Sequence, residues 1–205
     1  MKNLYKFYQY FYLRTYTRIS KMFTLLYFYL NGVRYKNFTS LGIPIIDVHV
    51  KGICEIDQHL VMINTAKYSA LGKSNRCKIV VLAGAKLTIG RLVGMSNATI
   101  ITSTRIVIGN NVLIGGGVTI VDTDFHSLNP CHWHTSDDTL NMHSTAVLIK
   151  DNVFIGMNSI ILKGVTIGNN VIIGAGSVVT KDIPDNQIWG GNPAVFIKTK
   201  ESNLL

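Results

Sequence analysis

Three side chains suited to acid–base chemistry lie close together in the segment VDTDFH: Asp122, Asp124 and His126. An imidazole titrates near neutral pH, so a histidine can take the proton of an alcohol while that alcohol attacks a carbonyl group. A carboxylate bonded to the other ring nitrogen would fix the tautomer, and the two aspartates are candidates of equal standing. The same residues also fit a loop histidine without a catalytic task, with the aspartates capping the loop.

The elements that position this segment follow a six-residue period. In the C-terminal half, aliphatic residues recur six apart without a slip: Ile149, Ile155, Ile161, Ile167, Ile173 and Val179. A second set of small or β-branched residues follows each of them by four places: Val153, Ser159, Val165, Val171, Ser177 and Ile183. Two earlier blocks have the same period: Ile108, Ile114, Ile120, and before them Ala83, Ile89, Met95, Ile101. One extra residue between Ile101 and Ile108 shifts the phase from one block to the next.

A period of six matches neither an α-helix nor a long alternating strand. It predicts short strands joined by corners, with the aliphatic residue of each hexad pointing inward and a glycine often at the corner. Three hexads would make one coil, and successive coils would stack at about 4.8 Å. Each inward side chain would then lie on its counterpart in the next coil, so the pattern predicts an all-β parallel β-helix.

The period stops at His126, which stands where the next aliphatic residue is due after Ile120. Ile149 follows Ile120 by 29 positions, and this spacing is not a multiple of six. The sequence therefore predicts that the chain leaves the coil in an excursion loop around residues 122–145, which carries the three acid–base side chains.

The hexads resemble those of the hexapeptide-repeat acyltransferases, whose coils form a left-handed parallel β-helix, over about residues 83–198. The segments DTDFH, NNVLIGGGVTI, VFIGMNSIILKGVTIGNNVIIGAGSVVTKDIP and GGNPA are similar to the sugar O-acetyltransferase group, which includes galactoside, maltose, capsule and O-antigen acetyltransferases. The resemblance implies an acetyl-CoA-dependent transfer of acetyl to a carbohydrate hydroxyl during surface-polysaccharide synthesis. It also implies that His126 is the general base.

The resemblance further implies a homotrimer with coenzyme A in the groove between subunits. It carries cofactor contacts to Gly156, Met157, Gly174, Ala175, Thr180, Lys181 and Lys198. Small residues there would let the cofactor approach the backbone, although the same glycines would also serve the corners. Substrate contacts are implied for Ser96, Asn97 and Phe154. Two positions depart from the galactoside enzymes: Phe154 replaces a tryptophan, and Val195 replaces a basic residue, for which Lys198 is a substitute.

The sequence from residue 3 to about residue 30 predicts a helix of aromatic and basic character that ends at Asn31-Gly32. The net charge is +9 and no acidic residue precedes Asp47. A helix of this kind suits either an anionic membrane surface, where the acceptor would be lipid-linked, or a neighbouring subunit. The apolar run at residues 22–30 is too short to span a bilayer and no cleavage site follows it. We therefore expect a cytoplasmic protein, at the inner face of the membrane if the helix binds lipid.

Composition and repeats together predict four segments: a helical segment 1–32, irregular leading coils 33–82, the β-helix with its loop 83–184, and a tail 185–205. A hydrophobic content of 47% against 15% charged residues indicates a folded chain with one main domain. Nucleic acid is not among the expected partners.

Three other functions share part of the pattern. An N-acetyltransferase acting on an amino sugar would have every feature above. A γ-type carbonic anhydrase would place histidine ligands on the coil walls, whereas His132, His134 and His143 fall in the excursion with Cys131. Since the three cysteines also lack a CxxC spacing, we expect no metal and no disulfide framework. A non-catalytic β-helix scaffold is the third alternative.

Overall fold

The computed structural model describes residues 2–66, 68, 69, 72 and 75–200. The chain begins with one long helix, α1 (Lys2–Leu30). The strands that follow are β1 (Arg34–Tyr35), β2 (Phe38–Leu41), β3 (Ile45–Val48), β4 (Ile53–Ile56), β5 (Leu60–Ile63), β6 (Lys78–Val81), β7 (Lys86–Ile89), β8 (Gly94–Ser96), β9 (Thr99–Thr102), β10 (Arg105–Ile108), β11 (Leu113–Ile114), β12 (Thr119–Val121), β13 (Val147–Ile149), β14 (Phe154–Ile155), β15 (Ile160–Ile161), β16 (Thr166–Ile167), β17 (Ile172–Ile173), β18 (Val178–Val179), β19 (Gln187–Gly190) and β20 (Val195–Thr199). A helical turn (Pro130–His132) and a short helix α2 (Ser136–Leu140) lie between β12 and β13.

From β1 to β18, each strand pairs in parallel with the strand three places further along the chain, which gives three sheets around one axis. Sheet A has the order β1-β4-β7-β10-β13-β16, sheet B has β2-β5-β8-β11-β14-β17-β19-β20, and sheet C has β3-β6-β9-β12-β15-β18. Each coil passes through A, B and C in turn, so the sheets form the walls of a triangular prism. The parallel β-helix predicted from the hexads is confirmed, in the left-handed form that the resemblance implies.

Aliphatic side chains in register fill the axis of the prism. Ile56, Ile89, Ile108, Ile149 and Ile167 pair one above the other in sheet A, and each is at most 3% exposed. Burying one such side chain stabilises the fold by about 1.5–3 kcal/mol. The C-terminal positions predicted to point inward are all buried as well.

The earliest predicted block, in contrast, has the wrong phase at its two ends. Ala83 is exposed and Ile101 is half-buried, whereas Val81 and Ile100 point inward. Ile100 pairs with Ile120 in sheet C. The turn after β8 is one residue shorter than the period, and Asn97 closes it with a left-handed backbone (φ 49°) that asparagine tolerates better than most residues.

Residues 33–82, predicted as irregular coils, form β1 to β6 in the same three-sheet order, so the β-helix begins at Arg34. The period is hard to recognise there because Phe38, Ser40 and Cys54 occupy buried positions. The predicted tail also has structure: β19 extends sheet B, and β20 turns back antiparallel to it. Positions 67, 70, 71, 73, 74 and 201–205 of these two predicted segments lie outside the described residues.

The predicted N-terminal helix is observed with the expected end. Gly32 adopts φ 61°, its N–H donates to the carbonyl of Tyr29, and the N–H of Val33 donates to that of Phe28. These two bonds define a Schellman motif, which satisfies carbonyls that the last helical turn leaves open. Phe28 is fully buried, with its ring centroid 4.8 Å from that of Phe38 in β2. Among the described residues, no helix has both the length and the apolar character needed to cross a membrane.

Because the coils stack closely at one corner, replacing either of two glycines with alanine should have different effects on stability. A Cβ on Gly156 would lie 2.5 Å from the backbone nitrogen of Ala175, whereas a Cβ on Gly174, one coil further on, would have its nearest neighbour, the Trp189 carbonyl, at 3.6 Å. Gly156→Ala should therefore lower the free energy of unfolding by about 1–3 kcal/mol. Gly174→Ala should change it by less than about 0.5 kcal/mol.

Urea unfolding followed by circular dichroism, at one protein concentration, measures both variants. Equal losses at the two positions would show that the coils do not approach as closely as described.

Candidate active site

The chain leaves the prism between β12 and β13 through a narrow neck. The N–H of Thr145 donates to the Asp122 carbonyl (2.8 Å) and the N–H of Asp124 to the His143 carbonyl (3.0 Å). Between them, Thr123 and Ser144 form an antiparallel bridge and share a side-chain hydrogen bond of 2.9 Å. The predicted excursion at residues 122–145 is therefore observed. It projects from the C–A edge, our name for the corner where each coil passes from sheet C to sheet A.

Asp122 holds the neck to the coil below and does not contact His126. Its carboxylate is 0% exposed and accepts backbone N–H groups of Ser103 (2.6 Å), Thr104 (2.8 Å) and Arg105 (2.8 Å). The hydroxyls of Thr102 and Thr104 also donate to it, at 2.7 and 3.0 Å. All the acceptor capacity of this carboxylate is used inside the edge, so Asp122 has a structural part and is not the partner expected for the imidazole.

Asp124 points to the coil above, where its Oδ2 lies 3.0 Å from Nζ of Lys163. Both side chains are partly buried, at 26% and 29% exposed. Neither aspartate predicted to orient His126 is thus in position to do so. The physical reason is that the neck directs both carboxylates back against the coils while His126 projects outward.

A different carboxylate, that of Asp138 in α2, meets the imidazole. Oδ2 of Asp138 lies 2.7 Å from Nδ1 of His126, and its Oδ1 accepts the N–H of Ser127 at 2.7 Å. The His126 side chain is 71% exposed, that of Asp138 only 14%. The bond from His126, followed by that from Ser127, lowers the pKa of the Asp138 carboxyl. Asp138 therefore stays ionised at neutral pH beside the ring.

Hydrogen bonds within the loop also hold Ser127, the residue that follows His126. Ser127 is buried, its hydroxyl lies 2.9 Å from Nδ1 of His132, and its carbonyl accepts the indole N–H of Trp133 at 2.8 Å. Thr135 caps α2 by accepting the N–H of Asp137. Phe125, directly before His126, has φ 65°, a backbone that costs an aromatic residue energy and is found at sites where other contacts impose it.

An open depression of about 580 Å³ lies against the same loop. It is lined by Ser127, Leu128, Asn129, His132, Leu140, Asn141, Met142 and His143. The two ring nitrogens of His132 face Ser127 and Asn129. Within the part of the chain that the structure describes, no group of three or more histidine, cysteine or acidic side chains is arranged to hold a metal ion.

Six of the seven predicted cofactor residues fall on the two edges of sheet C. Gly156, Met157, Gly174 and Ala175 follow β14 and β17, at the corner where the chain passes from sheet B to sheet C. Thr180 and Lys181 follow β18 at the C–A edge, two coils above the neck of the loop, and both are exposed. Lys198 stands apart on β20, opposite Ile188 at the end of sheet B.

Two of the three predicted substrate residues lie at one surface depression, and the third is buried. Ser96 and Phe154 line one shallow depression of about 270 Å³ on sheet B, and Phe154 is 45% exposed. Asn97 is only 2% exposed and donates its amide to the Asn75 carbonyl. This burial argues against the expected contact between Asn97 and an acceptor, because its side-chain amide is bonded to the segment before β6.

Chemically, the arrangement supplies one oriented base. Since Nδ1 of His126 faces a carboxylate, the proton of the neutral ring resides on Nδ1 and Nε2 is left as the acceptor on the opposite side. The exposed ring can receive a substrate from solvent. A proton taken up by Nε2 creates an imidazolium that the ionised Asp138 stabilises.

Comparison with known proteins agrees with the β-helix fold. Residues 146–181 match the family described as bacterial transferase hexapeptide (six repeats). The predicted resemblance to the hexapeptide-repeat acyltransferases is confirmed. A solved hexapeptide-repeat acetyltransferase from Vibrio cholerae O1 biovar eltor, in complex with acetyl coenzyme A, is 29% identical with a TM-score of 0.53, over 62% of this chain and 64% of the other.

Two curated relatives are similar over shorter stretches. Protein CapG of Staphylococcus aureus is 52% identical over 100 residues, 46% of this chain and 53% of its own length. Galactoside O-acetyltransferase of Escherichia coli K12 is 41% identical over 116 residues, 56% of this chain and 55% of its own length. The chain thus spans about half the length of these curated relatives.

The Asp138 carboxylate makes loop order depend on pH. Its pKa is lowered from an ordinary value of 3.8, so its stabilising contribution is complete above that value and is lost as pH falls through the lowered pKa. Trp133, bonded to Ser127, reports on the loop. In a Trp189→Phe background, Trp133 emission should shift as the pH falls below about 4.

Asp138→Asn in the same background is the control. This variant should show no shift over that range, because it lacks the titrating group. A transition of equal size in the variant would assign the effect to another residue.

Proposed function

We propose that this protein transfers an acetyl group from acetyl-CoA to a hydroxyl of a carbohydrate, with His126 as general base. The observation that carries the proposal is the His126–Asp138 pair, 2.7 Å apart on an exposed loop, in a chain similar to a galactoside O-acetyltransferase. An acetyl acceptor must lose one proton, and this loop holds an imidazole with one nitrogen fixed and the other free to take it.

In the proposed reaction, Nε2 of His126 removes the hydroxyl proton as the oxygen forms a bond to the thioester carbonyl carbon. Asp138 stabilises the resulting imidazolium while the tetrahedral oxyanion exists. His126 then returns the proton to the sulfur as the carbon–sulfur bond breaks, which releases free coenzyme A and the acetyl ester. Each atom and proton is accounted for without a further reactant.

Binding of acetyl-CoA is supported by the solved relative that holds it and by the character of the residues at sheet C. An added Cβ at Gly174 would meet its nearest neighbour only at 3.6 Å, and this half-buried glycine presents its backbone to a pantetheine arm without an intervening side chain. Lys181 is an exposed cation on the C–A edge, on the same edge as the loop, where its ammonium suits a phosphate. These residues fit the acetyl donor, and no metal enters the proposal.

We propose a homotrimer, and the positions of the predicted residues support it. The His126 loop and Lys181 are on the C–A edge, whereas Phe154 and Ser96 are on sheet B, on another side of the prism. One chain alone therefore does not bring the base and the substrate residues together. In a ring of three copies, the loop of one subunit would complete the site on its neighbour, with the cofactor in the groove between them.

The acceptor group decides whether the reaction is O-acetylation or N-acetylation. An amino sugar nitrogen would use the same base and the same donor, so N-acetylation is the alternative. The open loop and exposed imidazole leave room for a sugar within a longer chain, and we propose a surface-polysaccharide precursor as the acceptor. Assays of mono- and oligosaccharides with and without an amino group separate these possibilities.

Replacement of the base should abolish most of the activity. His126→Ala should lower kcat/KM by about 100- to 10,000-fold, because the proton must then pass to water. Asp138→Asn should lower kcat by at least about tenfold and leave the KM for acetyl-CoA nearly unchanged, since it acts on the ring and not on the donor. Thiol release in the presence of candidate sugars measures both.

His59→Asn is the matched control for these two variants. His59 is an exposed histidine on a different corner with φ 63°, a backbone that asparagine also adopts, so its activity should equal that of the parent. Full turnover in His126→Ala would refute the assignment of the base.

The donor site yields a separate test by calorimetry with coenzyme A. Lys181→Ala should weaken binding about fivefold, the effect of one lost phosphate contact at an exposed position. Lys51→Ala is the matched control, because Lys51 is also an exposed lysine at the C–A edge but follows β3 in the first coil. Equal affinities of the two variants would remove Lys181 from the donor site.

A further inference from the structure

The orientation of α1 on the β-helix is fixed by one of its faces. Ser20, Thr24 and Phe28 are at most 2% exposed. The Ser20 hydroxyl accepts the N–H of Gly42 at 3.1 Å, and Phe28 packs on Phe38 in β2. Whatever lies on the opposite side of α1 therefore points away from the prism.

That opposite side is exposed from Leu4 to Tyr29 and is mostly apolar, with Thr15 as a polar residue near its middle. With 100° between successive residues, Leu4, Phe11, Met22 and Tyr29 fall within about 20° of one another, and Tyr8 and Leu26 lie beside them. Their exposed fractions are 74%, 64%, 59% and 82% for the first four and 62% and 49% for the two flanking residues. We call these six residues the outward stripe. It extends over roughly 40 Å, and an exposed apolar surface of that length indicates an interaction site.

Cations border the outward stripe on one side. Arg18 and Arg14 lie about 50° and 90° from its centre on the helix, and Lys21 follows beyond them, with its ammonium over the ring of Phe38. The helix contains no aspartate or glutamate. An apolar stripe with basic residues at its margin and no acidic ones is the pattern of helices that lie in the interface of anionic bilayers.

We propose that the outward stripe of α1 docks this protein on the surface of an anionic lipid membrane. The six apolar residues enter the boundary between headgroups and acyl chains, and Arg14 and Arg18 pair with lipid phosphates. The helix lies along the surface and does not cross it. Because the Schellman end joins α1 directly to β1, docking also holds the β-helix against the membrane.

A second copy of this chain fits the same stripe less well. Two α1 helices meeting through their outward stripes would bring Arg14 and Arg18 of both copies together, and α1 contains no carboxylate to offset them. Like charges placed opposite one another destabilise such contacts. Phosphate groups of a lipid surface offset them instead.

Vesicle binding by the full chain, without acetyl-CoA or acceptor, tests the proposal independently of the enzymatic one. We expect binding to vesicles of phosphatidylglycerol and phosphatidylcholine, and much weaker binding to phosphatidylcholine alone. The double variant Phe11→Glu/Met22→Glu should reduce the partition coefficient by roughly 100-fold or more, since two apolar side chains lose their burial. Val50→Glu is the matched control, because Val50 is a 94% exposed apolar residue outside α1.

A second variant tests the charge contribution and leaves the apolar surface intact. Arg14→Ser/Arg18→Ser should weaken binding to the anionic vesicles by roughly 30-fold, and added salt should weaken the parent in the same direction. Leu4→Ser/Tyr8→Ser, near the free end of α1, provides an apolar test should the glutamate variant unfold in circular dichroism.

Three results would overturn the proposal. The first is a parent protein that does not bind anionic vesicles. The second is a stripe variant that is folded and binds them as well as Val50→Glu does. The third is a stripe variant with unchanged vesicle binding and a smaller mass in light scattering, which would assign the stripe to contacts between copies of this chain.

Discussion

The register of stacked aliphatic side chains is the constraint on which the rest of the structure depends. Ile89, Ile108 and Ile149 lie above one another because each backbone strand pairs in parallel with the strand one coil away. A slip of one residue would turn the inward set to the outside. With the wall fixed in this way, a corner can release a loop of more than twenty residues at one edge without disturbing the coils on either side.

Asp122 shows how that release is made. The residue occupies the corner at which the wall opens, and its carboxylate accepts donors from the corner of the coil below. The neck thereby has a buried polar anchor, and the His126–Asp138 pair is positioned by a loop that is rigid at its base. Carboxylates of one short segment thus do different things: Asp122 closes the corner, and Asp124 pairs with Lys163.

The sequence predicted the β-helix, the bounds of the loop and the N-terminal helix because all three depend on local periodicity or local turn chemistry. It did not predict Asp138, since that residue lies twelve positions after His126 in a segment without a period, and only the folded loop brings the two together. The Thr135 cap at the start of α2 is the one local signal that points to a helix there. The same limit applies to residues 33–82, where Ser40 and Cys54 occupy inward positions that a search for aliphatic hexads passes over.

The structures at the two ends of the β-helix affect whether several copies of it can associate end to end. A parallel β-helix ends in strands whose hydrogen-bonding groups face outward, and these would accept another chain as a further layer. At the first coil, α1 packs over β2 through Phe28 and Phe38. At the last, β20 runs antiparallel along β19 and offers the wrong direction for a following coil. Sheet B is thereby terminated at both ends, which opposes end-to-end growth into filaments.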